Sequence, residues 1–312
     1  MFDIAELAAS RTIVVIGGPT ASGKTGAAMA LAERLNIEVL SADSRQVFKY
    51  LDIGTAKPTS EEQGAVKHHF VDFLEPVEYY SAGLFADQAE VKANELLETG
   101  IIPVVAGGSG LYIKGLCEGF FEENLDEKEN NSIRDELHKQ LEDKGIDSLI
   151  SELEIYDLKS AKLYADKNPR RIIRAMEYYQ TTGTAFSEAQ EKHAKQKNFR
   201  ILNFAVDVER PKLYEKINLR ADIMWESGLI EETEKVLNMG FSSDLNSLNT
   251  VGYKECIAYL NGDMSKDDAI EIMKRNTRRY AKRQMTWFRK VPNIKWLSGN
   301  SDFIADQIIK NL

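Results

Sequence analysis

Residues 11–25 read RTIVVIGGPTASGKT, a β-branched apolar run that stops at paired glycines and continues as a complete GxxxxGK[ST] loop. An unbroken apolar run without polar alternation marks a strand buried on both faces. The loop lies between that strand and a helical pattern, the context in which glycine-rich backbone converges its N–H groups on phosphate oxygens at a helix N-terminus. Gly18, Thr20, Ala21, Ser22, Gly23, Lys24 and Thr25 are therefore the expected phosphate-binding residues. Lys24 is placed to neutralise the terminal phosphate, and the Thr25 hydroxyl to bind magnesium. A glycine-rich turn without a ligand needs neither the lysine nor the threonine.

Further runs of the same kind follow at Ile37–Ser41 and Ile101–Ala106, each preceded by a helical pattern, Gly26–Leu35 and Ala82–Leu97. Alternating strand and helix predicts a parallel sheet with helices on both faces and a ligand site outside the carboxyl ends of the strands. After Cys117 the composition changes. Between Glu118 and Asp157 acidic residues outnumber Lys and Arg more than three to one, and helical periodicity runs on to Tyr179. A strand pattern resumes at Ile201–Val208, and from Pro211 the chain reads as helical. The expected fold is α/β, a P-loop NTPase-like core over 1–117 and 198–312 with an all-helical domain inserted at 118–197.

The 312 residues carry a net charge of -9, and their two cysteines, Cys117 and Cys256, stand far apart. That excludes a disulfide framework and zinc held by cysteine pairs. His68 and His69 are adjacent, and neither His138 nor His193 has a ligand-like neighbour, so no protein-bound zinc is expected. The acidic N-terminus lacks the positive charge of a signal peptide and no apolar run approaches a membrane span, which leads us to expect a cytoplasmic protein with no membrane partner. Evenly spread, the negative charge would repel nucleic acid, so any such role needs a local basic patch.

That patch runs from Lys274 to Lys290, KRNTRRYAKRQMTWFRK, with eight Lys or Arg and no acid. Lys274, Arg278 and Lys282 form one i,i+4 row and Arg275, Arg279 and Arg283 the next, a single cationic helix face suited to a phosphate backbone. A smaller cluster, Arg170, Arg171 and Arg174, opens a helix capped by Asn168-Pro169 and ended by Gly183. Its partners are either RNA phosphates or the surrounding carboxylates of the insertion.

Two further groups belong at the sheet's carboxyl edge. Asp43, after the second strand, is a candidate general base or a magnesium ligand through water. Ser109, in Gly107-Gly108-Ser109-Gly110 after the third strand, is a candidate phosphate or magnesium-shell contact in a second backbone nest. No aspartate ends the third strand, which weakens an ATP-hydrolysing reading.

GGPTASGKT (17–25), SADSRQVFKYLDIGTAKP (41–58), AGGSGLYIKGL (106–116), NPRRIIRAMEYYQTTG (168–183), VGYKE (251–255) and TRRYAKRQMTWFRK (277–290) together resemble the tRNA dimethylallyltransferases, also called tRNA isopentenyltransferases, of bacterial type. The resemblance runs from about Thr12 to Trp296. It implies transfer of a dimethylallyl group from its diphosphate to the exocyclic N6 amine of the adenosine 3′-adjacent to the anticodon, with Mg2+. It also implies that Arg220, in NLRADIMWESG, contacts the diphosphate. Asp43 would take the amine's proton, and Asp43, Ser44, Arg45 and Gln46 would line the flipped base, with Gly252 and Tyr253 on the RNA side. The insertion would meet the anticodon stem-loop. Ser109 stands where the family usually has threonine, and Phe48 where tyrosine is commoner. A P-loop kinase of a small molecule, transfer to free adenosine phosphates, and RNA binding without catalysis are the competing readings.

Overall fold

The computed structural model describes residues 11–119, 127–192 and 197–312; the N-terminal leader reading falls largely, and His193 wholly, outside them. The chain divides into two compact units, Met1–Cys117 with Lys197–Leu312, and Glu118–Gln196.

In the first unit six strands form one wholly parallel sheet in the order β3-β2-β4-β1-β5-β6. They are β1 (Thr12–Gly17), β2 (Ile37–Ser41), β3 (His68–His69), β4 (Ile102–Ala106), β5 (Arg200–Val206) and β6 (Lys295–Leu297). All six residues of β1 are buried, as an unbroken apolar run requires of a strand flanked on both sides. One face of the sheet carries α1 (Lys24–Ala32) and the C-terminal helix α14 (Ser301–Ile309), whose Ile304, Ala305 and Ile308 pack with Val14, Ile16, Leu31 and Phe204. The other face carries α3 (Ala82–Glu98) and α4 (Gly110–Glu118), with Phe85, Ala89, Ala93 and Leu116 against Ile13, Val15 and Val105. The short α2 (Ser60–Ala65) starts with a capping box, Thr59 with Glu62. Helices on both faces of a parallel sheet are the expected architecture.

The C-terminal part departs from its reading as wholly helical. β6 returns to the sheet beside β5, with Phe204↔Lys295 and Val206↔Leu297 in register. Three residues are too few to show a pattern in sequence. The two histidines likewise form the edge strand β3, where His69 pairs with Glu38 and His68 Nδ1 lies 2.9 Å from Val66 O.

Four helices complete this unit around a separate core: α10 (Arg210–Glu226), α11 (Leu229–Asn238), α12 (Tyr253–Leu260) and α13 (Lys266–Phe288). That core holds Val47, Phe48, Leu51, Trp225, Leu229, Tyr253 and Met273. Phe48 is 3% exposed. In this apolar setting phenylalanine avoids burying the hydroxyl that tyrosine would bring.

The second unit is helical: α5 (Glu127–Lys144), α6 (Ile146–Tyr156), α7 (Leu158–Leu163), α8 (Pro169–Thr182) and α9 (Phe186–Lys192). Its own core includes Leu137, Leu149, Leu153, Ile172 and Met176. Asn168 caps α8 through a bond from Arg170 N, and Gly183 closes it at φ 70°, as the flanking residues predict.

Candidate active site

The phosphate loop leaves β1 with three residues at positive φ, Gly18 at 139°, Ala21 at 61° and Gly23 at 96°. This winding lets successive N–H groups point inward. Ser22 is buried and its hydroxyl has no hydrogen-bond partner. A buried unpaired hydroxyl is costly, and a phosphate oxygen would satisfy it. Lys24 Nζ donates to Pro19 O at 2.6 Å. Burial pulls the Lys24 ammonium down to about 8; Asp43 opposes the shift and Arg220 adds to it. The lysine is thus a half-buried cation short of negative charge.

Two other strand ends meet the loop. After β2, Ala42 O accepts from Ser109 N at 3.0 Å, and Ser109 Oγ accepts from Ser44 N at 3.1 Å. A Cβ on Gly107 would lie 2.1 Å from Ala42 O, so only glycine allows the turn after β4 to approach this closely. Asp43 Oδ1 accepts from Arg45 N at 2.9 Å, which fixes the carboxylate at the strand end. Gln46 accepts from Ser41 Oγ at 2.8 Å and donates to Ala56 O at 2.9 Å, bracing the 52–58 loop. From α10, Arg220 Nη1 reaches 3.4 Å from Thr20 Oγ1, and burial lowers the guanidinium's pKa while Asp43 partly restores it.

Two cavities open here. The first, ≈ 410 Å³, is lined by Lys24, Thr25, Gln46, Lys57 and Gly108 among others, together with Thr20, Asp43, Thr55 and Arg220. The second, ≈ 490 Å³, shares those last four residues and adds Ser44, Arg45, Lys254, Arg279, Tyr280 and Arg283. Asp43 therefore stands in the wall common to a phosphate cavity and a cationic one. Its charge also helps raise the Tyr280 phenol to about 12, second to burial.

The structure brings most of the sequence-derived residues to these cavities and separates others. Arg275 is exposed but lines neither. Lys274 is held by Asp222 at 2.8 Å and Arg278 by Asn218 at 2.5 Å, so these two members of the row face α10. Tyr253, expected on the RNA side, is fully buried and donates to Glu232 at 2.5 Å, and Gly252 is buried beside it. The reason is steric: the Tyr253 ring fills the place of a Cβ on Gly54, 2.5 Å away. Within VGYKE it is Val251, Lys254 and Glu255 that line the second cavity. Arg171 and Arg174 pair inside the insertion with Asp166 at 3.4 Å and Glu177 at 3.0 Å.

Sequence reasoning assigned no site role to Thr55, Lys57, Lys254 or Tyr280, or to Glu232. The Glu232 carboxylate accepts the N–H groups of Asp52, Ile53 and Gly54 in succession and so holds the loop bearing Thr55 and Lys57. The signal for the loop was DIGTAKP itself. Glu232 has none, because the loop groups it holds are backbone N–H groups 178 to 180 residues away.

A parallel sheet with a phosphate loop at the end of its central strand, and a cationic cavity sharing an aspartate with that loop, defines a P-loop protein that holds a phosphate-bearing donor beside a second substrate. The chain matches the family described as IPP transferase over residues 46–291 and belongs to it. It is 43% identical over 304 residues to a tRNA dimethylallyltransferase of Acetivibrio thermocellus, covering 96% of each chain. A crystal structure of the full-length tRNA isopentenylpyrophosphate transferase of Bacillus halodurans superposes with a TM-score of 0.70 at 38% identity, covering 96% of this chain and 94% of that one. A eukaryotic dimethylallyltransferase described as acting on tRNA gives 0.80 at 26% identity, over 96% of this chain and 77% of that one.

Proposed function

We propose that this chain transfers a dimethylallyl group from dimethylallyl diphosphate to the N6 amine of the adenosine 3′-adjacent to the anticodon in tRNA, releasing diphosphate. The observation that carries the assignment of roles is the shared wall: Asp43 lies between the cavity that ends in Lys24 and the one that ends in Arg279 and Arg283. The diphosphate occupies the first, held by the loop backbone from Gly18 to Gly23, the Ser22 hydroxyl, Lys24 and Arg220. The flipped adenosine enters the second, against Ser44 and Arg45.

The adenine amine is a weak nucleophile because its lone pair is delocalised into the ring. Asp43 accepts an N6 proton as the N6–C1 bond forms, and the allylic C–O bond breaks with its electron pair leaving on the diphosphate. Lys24 and Arg220 stabilise the charge that grows there, in a site where burial strengthens the interaction. Thr25 lines the first cavity and its hydroxyl would offer Mg2+ the oxygen donor it prefers, with Ser109 at the neighbouring turn. Among the described residues no three His, Cys, Asp or Glu side chains converge, so diphosphate and water would complete the coordination. When bound, the ion neutralises the leaving diphosphate. The unbonding of base and stack costs a few kcal/mol, offset by backbone contacts from Arg279, Arg283 and Arg275, and from Arg170 of the insertion. Among the described residues no helix is long and apolar enough to cross a membrane, and tRNA as substrate supports a cytoplasmic enzyme.

The test is to incubate the protein with dimethylallyl diphosphate, Mg2+ and unmodified tRNA, AMP or ATP, and to analyse nucleosides after digestion. N6-dimethylallyladenosine from tRNA alone is expected. Prenylated AMP or a phosphorylated product would overturn the reading. Asp43→Ala should lower kcat ~100-fold or more with tRNA affinity nearly unchanged.

A further inference from the structure

Gln284 lies on α13 one residue beyond Arg283, and its side chain runs inward, 6% exposed. Its Oε1 accepts from Thr20 N in the phosphate loop at 2.9 Å, and its Nε2 donates to Gly108 O in the second glycine turn at 2.9 Å. The orientation of the amide is unique, since a backbone N–H needs the acceptor and a carbonyl needs the donor. Tyr280, one turn earlier, lies in the wall of the second cavity. Neighbouring residues of α13 also fit against this edge. Trp287 occupies the place of a Cβ on Gly110, Phe288 that of a Cβ on Gly17, and Gln284 that of a Cβ on Gly108, at 2.2, 2.5 and 2.2 Å.

We propose that Gln284 is a positioning residue for the diphosphate: a single buried amide fixes the phosphate loop and the second glycine turn relative to each other. This rests on the diphosphate reading of the first cavity. The chemistry restricts the position sharply. Glutamate cannot donate to Gly108 O and would bring a negative charge beside the diphosphate. Asparagine is one methylene too short to reach both turns. Methionine keeps the volume and loses both bonds. Sequence shows nothing of this, because Gln284 sits inside the basic run and reads as one more polar surface residue.

The experiment measures binding of dimethylallyl diphosphate, inorganic diphosphate and unmodified tRNA to the full chain by calorimetry, together with steady-state turnover. Gln284→Met should weaken both diphosphates about tenfold, the worth of two modest hydrogen bonds, and leave tRNA affinity within about twofold. KM for dimethylallyl diphosphate should rise more than kcat falls. Gln284→Glu should be worse than Gln284→Met. Gly108→Ala, whose methyl group displaces the amide, should reproduce Gln284→Met, and the two changes together should add little to either. This second variant keeps the test alive if Gln284→Met fails to fold. Unchanged diphosphate affinity, an equal loss for tRNA, or full additivity of the two variants would overturn the proposal. Diphosphate binding without turnover in the unsubstituted protein would count against the reaction, and leave the bridge to be judged on binding alone.

Discussion

The edge of the sheet and the helical insertion treat positive charge in opposite ways. At the edge, Lys24 is half-buried with its pKa lowered to about 8, and Arg279 and Arg283 line a cavity with no carboxylate pairing them among the described residues. In the insertion Glu177, 1% exposed, takes both Arg134 at 2.6 Å and Arg174 at 3.0 Å, and Asp166 takes Arg171. The two arginine clusters look alike in sequence. Their difference is that the insertion supplies acids within a turn or on the facing helix, whereas Lys274–Lys290 contains none. A cation left without a counter-charge by its own fold is set up for an external anion; one that is matched serves the fold.

The largest effect should come from Lys24→Ala, with a loss in kcat/KM of ~100-fold or more for dimethylallyl diphosphate, as expected for a charge acting on the leaving group. Retention of most activity would end the comparison, since it would make the least matched cation dispensable. Replacing Arg279 and Arg283 together by Ala should weaken tRNA binding roughly 10- to 100-fold at physiological salt. It should also flatten the slope of log affinity against log salt by about 2, one for each phosphate contact. An unchanged slope would mean that these arginines do not meet the RNA backbone.

The pH dependence of diphosphate binding is a third probe. Lys24 binds as the ammonium, and a bound diphosphate raises its pKa further, so affinity should be flat below pH 8. Above it, affinity should fall by up to about tenfold per pH unit, because the free protein must then take up a proton to bind. Lys24→Arg should remove the inflection; its persistence would assign the titration to another group.

The smallest effects belong to the insertion. Arg174→Ala should cost ~1–2 kcal/mol of its stability, because Glu177 is buried but keeps Arg134. Arg171→Ala should cost well under ~1 kcal/mol, the pair being exposed and 3.4 Å long. If Arg174→Ala weakens tRNA binding without lowering the melting temperature of the insertion, the matched cation has an outside partner and the contrast fails.

What was legible in sequence tracks the range of the interactions. The phosphate loop, the strands around it and Asp43 are local patterns, each readable within about ten residues, and the parallel sheet follows from their alternation. β6 escaped because three residues carry no periodicity, and Tyr253 was misplaced because its ring answers to Gly54, 199 residues earlier in the chain. The basic helix shows its charge in sequence, while the glycine turns that Gln284, Trp287 and Phe288 close lie far away along the chain. Charge is written in the sequence; the side of a helix that meets a distant turn is not.

The chain leaves the sheet along α4 and re-enters it at β5, and the start of β5 is pinned within the first unit. Arg11 Nε donates to Asn198 O at 3.1 Å, and Lys197 pairs with Glu90 at 2.7 Å. The strand order and register of the first unit thus rest on that unit's own residues. A change in the length or charge of the insertion would therefore leave the register of every described strand untouched, so drift there is uncoupled from the sheet that carries the site.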